Sequence, residues 1–486
     1  MKKFITLLLL TIVAIPVSAE MRAPLDRPNI IYILADDLGY AELGSYGQKI
    51  IKTPNIDRIA AEGIRFTNHY SGQAVCAPSR CALMTGKHMG HTYIRDNGNP
   101  PGRETDQDRS IFPGQNAIPD ETVTIAELLK DRGYATAAYG KWGLGFEGSS
   151  GDPLKQGFDD FGGFLCQVHA HNHYPRFLWK SGEQLPMPGN DRTLTGEQFS
   201  QDYFTKWGLD FIQENKDEPF FLYLPIAIPH LSIQVTDESL AQYKGIIPEE
   251  DYVHKGYLKH PYPRAGYAAM ISHVDRDVGK IMDLVESLGL DNNTIIIFTS
   301  DNGPAFNRLG GSDSEFFESA GVFRGLKGSL YEGGIRVPLV ARWPEQIEAG
   351  RTSDHISAFW DVLPTFTELT GATTPKNIDG ISFARHLLDA SAKQKQHDYL
   401  YWEFKAYGGQ QAVRMGNWKG IRQNMLLRNG KINPDGGRLE LYNLDNDPSE
   451  SNDVADENRK VRKNIERVMR EARISSDLFP FAGLDD

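Results

Sequence analysis

Two stretches of this chain share one design: an uninterrupted apolar run of strand length that stops abruptly on oxygen-bearing side chains. NIIYILA, from Asn29 to Ala35, stops at Asp36 and Asp37, and TIIIFTS, from Thr294 to Ser300, stops at Asp301 and Asn302. Short Ile-rich runs without alternation read as strands buried on both faces. A third run, FFLYLPIAI from Phe220 to Ile228, leads into Pro229 and His230, and a weaker fourth, Ala135 to Tyr139, leads into Lys141. Helical patterns separate them. Thr53 and Pro54 open one as N-cap and first helical residue, with Gly63 closing it; Thr122 to Arg132 forms another that stops at Gly133. Tyr267 to Leu288 places Met270, Ile271, Val274, Val278, Ile281 and Val285 on one face. Strands alternating with helices predict an α/β fold with a large, mostly parallel sheet sandwiched by helices. Ligands of such sheets bind beyond the carboxyl ends of the strands, where parallel pairing collects all these polar groups.

The pattern changes after Leu388. SAKQKQ is polar and linker-like, then YLYWEF, AVRMGNWKGI and LELYNL read as short antiparallel strands, and the charged stretch Asn458 to Ile474 reads as a helix. The expected organisation is an export signal at 1–19, a main α/β domain at 26–390 and a smaller α+β domain at 391–486 with an antiparallel sheet and a terminal helix. Lys2 and Lys3 precede an apolar run from Phe4 to Ile15, and the small residues Val17, Ser18 and Ala19 predict cleavage after Ala19. That run is too short to span a bilayer, and no cysteine at the cut accepts lipid, so a periplasmic or secreted protein without membrane insertion is expected. A formal net charge of -12 argues against binding nucleic acid. Three cysteines, Cys76, Cys81 and Cys166, do not make a disulfide scaffold, and the sequence leaves open whether Cys81 and Cys166 pair. Oligomeric state is not legible.

Asp36, Asp37, Asp301 and Asn302 offer only oxygen, which suits a hard divalent cation such as calcium. Each alone reads as a turn or cap residue; two strand ends carrying the same chemistry favour a metal. Cys76-Ala77-Pro78-Ser79-Arg80 falls in a polar loop before a short apolar segment, Ala82 to Thr85. A thiol placed there is either an activated nucleophile or a small buried residue.

Cys-x-Pro-Ser-Arg resembles the signature of the formylglycine-dependent (type I) sulfatases of the alkaline phosphatase superfamily, whose cysteine is converted to an aldehyde. The blocks NIIYILADDLGY, TPNIDRIAAEGIRFTNHY, CAPSRCALMTGKH, YGKWGLG, SDNGP, FRGLKGSLYEGGIRVPLVARWP and LYNLDNDPSE stand in that family's order, so the chain resembles it almost from end to end. Bacterial secreted carbohydrate sulfatases and arylsulfatases are the most similar in kind. The resemblance implies an alkaline-phosphatase-like sheet, a C-terminal domain with a four-stranded antiparallel sheet, and hydrolysis of sulfate esters. It implies one Ca2+ held by Asp36, Asp37, Asp301, Asn302 and an oxygen of residue 76, with formylglycine made from Cys76 by a formylglycine-generating maturation enzyme. Arg80 and Lys141 would orient the aldehyde hydrate, Lys327 and Lys141 would bind sulfate oxygens, and His230 would face the leaving oxygen as general acid. Outside these motifs Arg80 and Lys327 would read as ion-pair partners and His230 as a core histidine.

One position departs from the family pattern. Two residues after Lys141 the family carries a histidine that hydrogen-bonds the hydrate, and this chain has Gly143. HAHNHY supplies His169, His171 and His173 at alternating positions, which an extended segment would point to one side, so His171 or His173 is expected near the sulfate as a partial replacement. GHTYIRDNGN, from Gly90 to Asn99, offers His91, Arg95, Asp96 and Asn97 for hydroxyl and sulfate recognition, with Arg95 and Asn97 the leading substrate-binding candidates. Tyr174, Trp179, Trp402 and Tyr407 are candidate platforms for sugar faces. These features point to sulfated carbohydrate, galactose or N-acetylgalactosamine sulfate in particular, with the axial 4-position favoured. The competing readings are a phosphonate or phosphate ester hydrolase of the same superfamily and a descendant that binds sulfated glycans without cleaving them.

Overall fold

The computed structural model describes residues 27–103, 112 and 114–485; the expected export signal lies outside them. In chain order the strands are β1 (Asn29–Ala35), β2 (Ile64–Phe66), β3 (His69–Tyr70), β4 (Ala135–Lys141), β5 (Asp160–Phe164), β6 (Phe177–Lys180), β7 (Glu183–Pro186) and β8 (Phe220–Pro225). They continue with β9 (Thr294–Ser300), β10 (Leu339–Arg342), β11 (Arg351–Ser353), β12 (Ser357–Ala358), β13 (Leu400–Phe404), β14 (Gln410–Met415), β15 (Trp418–Arg422) and β16 (Leu439–Asn443). The main sheet has ten strands in the order β11-β2-β10-β9-β1-β8-β4-β5-β6-β7. Its centre, β9-β1-β8-β4-β5, is parallel throughout. Antiparallel β10 on one side and antiparallel β6 on the other, the latter paired antiparallel with β7, make the sheet mixed.

All seven residues of β1 are buried, and the pleat sends alternate ones to opposite cores. Ile31, Ile33 and Ala35 join one core with Val274, Val278 and Ile281 of the helix Pro263–Ser287. Ile30, Tyr32 and Leu34 join the other with Leu83 and Met84 of the helix Cys76–Thr85, Leu129 of the helix Ile125–Asp131 and Phe366 of the helix Val362–Thr370. Burying each large aliphatic side chain contributes about 1.5–3 kcal/mol, which is why the middle of β1 and of β9 is a run of Ile, Leu, Tyr and Phe, with polar residues gathered at the strand ends. No helix among the described residues is long and apolar enough to cross a membrane.

A second sheet, β13-β14-β15-β16, is antiparallel throughout, and the helix Arg459–Glu471 packs its Ile465, Val468 and Met469 against it. The opposite face, with Trp402, Phe404, Ala412 and Ile421, packs on Val75, Ala82 and Met89 around the helix Cys76–Thr85. The C-terminal sheet therefore buttresses the segment that carries Cys76.

Several boundaries differ from the sequence expectation. The helix expected from Thr122 begins at Ile125, because Thr124 and Glu127 form a capping box that fixes the start. Cys76 is the first residue of a ten-residue helix, not part of a preceding loop. Cys81 and Cys166 are buried free thiols, and Cys81 accepts a hydrogen bond from Thr92.

Candidate active site

Four parallel strands end on one side of the sheet, and their last side chains meet there. Asp36 and Asp37 follow β1, Asp301 and Asn302 follow β9, Lys141 ends β4, and His230 lies five residues beyond β8. Backbone bonds tie the ends together: Asp301 N–H donates to Ala35 O at 3.0 Å, and Asp37 N–H donates to Asp301 Oδ1 at 3.2 Å. Asp37 turns sharply out of the strand with φ 65°, a left-handed conformation uncommon outside glycine and typical of constrained sites.

The helix Cys76–Thr85 points its N-terminus into this cluster, so its dipole favours negative charge there. Cys76 Sγ lies 3.3 Å from Asp36 Oδ1 and 3.5 Å from Lys327 Nζ. In an aldehyde or its hydrate, an oxygen would occupy the place of this sulfur. Ser79 donates to Asp301 O at 2.5 Å. One turn along, Arg80 Nε and Nη2 both donate to Asp301 Oδ2, at 3.0 and 2.8 Å, and Nη1 bonds the Lys141 carbonyl. Arg80 is thereby a fully buried clamp between β9 and β4.

Lys141 Nζ donates to Asp36 Oδ2 at 2.6 Å, and Lys327 Nζ lies 2.7 and 2.8 Å from the two oxygens of Asp37. Lys327 sits on a loop that the C-terminal sheet holds. Gln410 accepts from Leu330 N–H at 2.9 Å and donates to Gly328 O at 2.7 Å. His230 Nδ1 is engaged with Leu231 O at 2.5 Å, which leaves Nε2 facing the cluster, 3.6 Å from Asp37 Oδ2. Burial and the neighbouring Lys327 hold this imidazole well below its ordinary value.

The described donor set fits a hard divalent cation. Three carboxylates and one amide are at most 2% exposed, and Asn302 Oδ1 has no hydrogen-bond partner among the described residues, although its Nδ2 donates to Asp37 and Gly303. An orphaned buried oxygen beside crowded carboxylates is what a cation ligand looks like before the ion is counted. Burial, with Asp36 beside it, pushes Asp301 up to about 7. Asp36, Asp37, Cys76 and His230 also lie close enough to hold one ion together. In formal charge Asp36, Asp37 and Asp301 balance Arg80, Lys141 and Lys327, so a divalent cation would leave the site near +2, suited to an anionic substrate.

The remaining predicted residues divide. Asn97 lies at the site: its Oδ1 accepts from Ala77 N–H at 3.1 Å. The segment expected to be extended begins as a 3-10 turn, His169–His171, so His169, His171 and the following His173 do not share one side. His171 stacks on His230 with centroids 4.9 Å apart and planes 7° apart. His173 instead bonds the His230 carbonyl at 2.9 Å from behind, and His169 stacks on Phe112. Arg95 faces away from the cluster. It pairs with Glu403 of β13 at 2.7 Å and donates to the Gly90 and Ile474 carbonyls, tying its loop to β13 and to the segment after the C-terminal helix. Of the aromatic platforms, Trp402 and Tyr174 are core residues, whereas Tyr407 is 55% exposed. Tyr407 borders a cavity of about 740 Å³ that Asp96, Asn97, Lys405 and Arg428 also line. A larger one, about 840 Å³, opens near Thr85, at the far end of the helix, about 15 Å from Cys76.

Sequence reasoning missed Tyr257, which packs edge-on against both His171 and His230. It lies in an irregular segment where no periodicity marks it.

A parallel α/β sheet whose strand ends combine a buried oxygen-ligand cluster, three cations and a residue at a helix N-terminus defines a hydrolase of anionic esters. The family comparison makes this specific. The sulfatase family model matches residues 28–372, and a model described as "N-sulphoglucosamine sulphohydrolase, C-terminal" matches 323–475. The chain belongs to the sulfatase family and is a sulfuric ester hydrolase. It is 32% identical over 434 residues to the arylsulfatase of Hemicentrotus pulcherrimus, covering 85% of this chain and 70% of that protein. It is likewise 32% identical over 414 residues to the N-acetylgalactosamine-6-sulfatase of Homo sapiens, covering 82% and 73%. Its fold superposes on the crystal structure of Ps i-CgsB in complex with k-i-k-neocarrahexaose, with TM-score 0.74, 30% identity and coverage of 92% and 93%.

Proposed function

We propose that this sulfatase removes sulfate from O-sulfated saccharides through a formylglycine made from Cys76 and a calcium ion held by Asp36, Asp37, Asp301 and Asn302. The observation that carries the reading is residue 76 at a helix N-terminus, within reach of Asp36 and Lys327 in a cluster of oxygen ligands with one orphaned oxygen. When present, the cation and the aldehyde hydrate supply charge neutralisation and an oxygen nucleophile. The chain's own residues do the rest. Lys141 and Lys327 bind sulfate oxygens and stabilise charge developing on them. Arg80 fixes Asp301 and the end of β4, so the ligand geometry survives charge redistribution. His230, its Nδ1–H held by the Leu231 carbonyl, directs Nε2 toward the leaving oxygen; the anionic substrate beside it offsets the charge of the lysines and favours the imidazolium, whose Nε2 proton passes to that oxygen. His171, stacked on His230 beside Tyr257, holds that ring.

A saccharide substrate is supported by Tyr407, Asn97 and Lys405 at the rim, by the N-acetylgalactosamine sulfate relative and by the oligosaccharide in the Ps i-CgsB structure. Galactose and N-acetylgalactosamine sulfates are the favoured class, and a periplasmic or secreted location with maturation by a formylglycine-generating enzyme completes the proposal. The test is protein co-expressed with that enzyme, followed by the mass of the peptide carrying residue 76 and sulfate release from 4- and 6-sulfated sugars. Aryl sulfate, phosphate diester and phosphonate monoester serve as comparison substrates. A loss of about 18 Da at residue 76 with sulfate release supports the reading. Faster cleavage of the phosphorus esters transfers it to them, and retention of sulfated oligosaccharide without any cleavage makes the protein a binding descendant.

Removing the cation is expected to lower turnover about 100-fold or more, because several kcal/mol of transition-state stabilisation converts at about 1.4 kcal/mol per tenfold. Thermal stability should fall with it, since Asp36, Asp37 and Asp301 stay buried together. Chelation followed by calcium or magnesium add-back, read by activity and Tm, checks both.

A further inference from the structure

Gly143 lies two residues past Lys141, with φ 89°, a conformation that strains any side chain larger than glycine's hydrogen. A β-carbon built there would meet Gln167 Nε2 at 2.4 Å and the Ala77 β-carbon at 3.8 Å. The Gln167 carboxamide therefore fills the space that a side chain at position 143 would otherwise occupy, beside the first turn of the helix that begins at Cys76. The backbone holds it there. Trp142 N–H donates to Phe164 O at 2.9 Å, and Gly143 N–H donates to Leu165 O at 3.1 Å, which zips the chain after β4 to the chain after β5.

Gln167 is 6% exposed, and neither its Nε2 nor its Oε1 has a hydrogen-bond partner among the described residues. A buried amide with both ends unpaired is costly and calls for a partner. The amide offers a donor and an acceptor side by side, so the group that satisfies it must offer the complement within a small space. A geminal diol does so: one hydroxyl oxygen accepts and the other hydroxyl donates. We infer that Gln167 contacts the hydrated aldehyde of residue 76, with Nε2 donating to one hydroxyl oxygen and Oε1 accepting from the other. This rests on the formylglycine reading above. It assigns to Gln167 the hydrate contact for which Gly143 has no side chain, so the role belongs to a group that does not titrate rather than to His171 or His173.

The test compares wild type, Gln167→Ala and the nearly isosteric Gln167→Glu, each co-expressed with the maturation enzyme. Aldehyde at residue 76 is measured by peptide mass. Its capture by methoxyamine in the folded protein reports how much is free aldehyde rather than hydrate, and 4-nitrophenyl sulfate reports turnover. In both variants the aldehyde is expected to form fully, capture to become several-fold faster, and kcat to fall about 100-fold with little change in KM, the scale of losing one catalytic hydrogen-bond donor. Gln167→Glu keeps the side-chain volume, so it carries the test if the alanine variant does not fold. Unchanged capture or unchanged kcat in a variant bearing the aldehyde overturns the assignment of Gln167 alone. Absence of the aldehyde from wild type overturns the formylglycine reading and this inference with it.

Discussion

A Cys76→Ala variant is expected to fold normally and to release sulfate at least about 10⁴-fold more slowly than matured wild type, the scale seen when a nucleophile is removed from a preorganised site. Its Tm should move little, because the change deletes a single heavy atom whose described contacts are the polar Asp36 and Lys327 side chains. The same logic applies to any fraction of wild type left unmodified. Burial and the Asp36 carboxylate push the Cys76 thiol up to about 12, so at neutral pH the sulfur keeps its proton. Even ionised, it lacks the second hydroxyl by which an aldehyde hydrate can release sulfate without water attacking sulfur. Specific activity should therefore rise in proportion to the aldehyde content measured by mass, with an intercept at zero. Substantial turnover by the alanine variant, or by protein shown to carry only the thiol, would falsify the mechanism.

How much of this site the sequence discloses depends on whether a residue's role is local. Asp36, Asp37, Asp301 and Asn302 are legible because a strand buried on both faces must be apolar until it leaves the sheet, so the first polar residues mark its carboxyl end. Parallel pairing of β1 with β9 and β8 then brings those ends together without further information. Arg95 fails the same reasoning. A long cation in a polar loop reads as a ligand-binding group, but its partner Glu403 lies 308 residues away, and no local pattern announces that pairing. The histidines of HAHNHY have the right composition and the wrong periodicity: alternation assumes an extended backbone, and the chain turns instead, stacking the His171 ring on the His230 ring while His173 bonds the His230 carbonyl. Gln167 is the plainest omission. Gly143 marks an absent side chain, but only the three-dimensional packing of β4 beside β5 identifies the amide that takes up the space.

A Lys419→Met variant is expected to lose about 3–5 kcal/mol of stability at neutral pH, the usual consequence of stripping one partner from a buried ionic cluster. Lys419 of β15 is fully buried, with Nζ 2.9 Å from Glu332 Oε1 and 3.0 Å from Glu450 Oε1. Glu332 also accepts from Tyr70 at 2.6 Å and from Arg336 at 3.1 Å, whereas Glu450 has Lys419 as its main counter-charge. The two carboxyls consequently part: Lys419 and Arg336 pull Glu332 down to about 2, and burial beside Glu332 pushes Glu450 up to about 7. The signs predict opposite pH effects. Glu332 stabilises the fold above its unfolded value and loses that contribution as pH falls toward 2. Glu450, with its folded value raised, stabilises below its unfolded value near 4.5, and that contribution is lost as pH rises through about 7. Without Lys419, Glu450 loses the charge that pulls it down and keeps its proton to higher pH than in wild type, so the penalty should shrink as pH falls through about 7, where wild-type Glu450 takes up its own proton. Chemical denaturation at two pH values measures this. The loss should also reach the active site, because Glu332 follows the loop whose Gly328 and Leu330 are held by Gln410 and which carries Lys327. A rise in KM at temperatures where the variant is still folded would mark that displacement, and an unaltered KM together with an unaltered denaturation midpoint would show that the cluster contributes neither stability nor position.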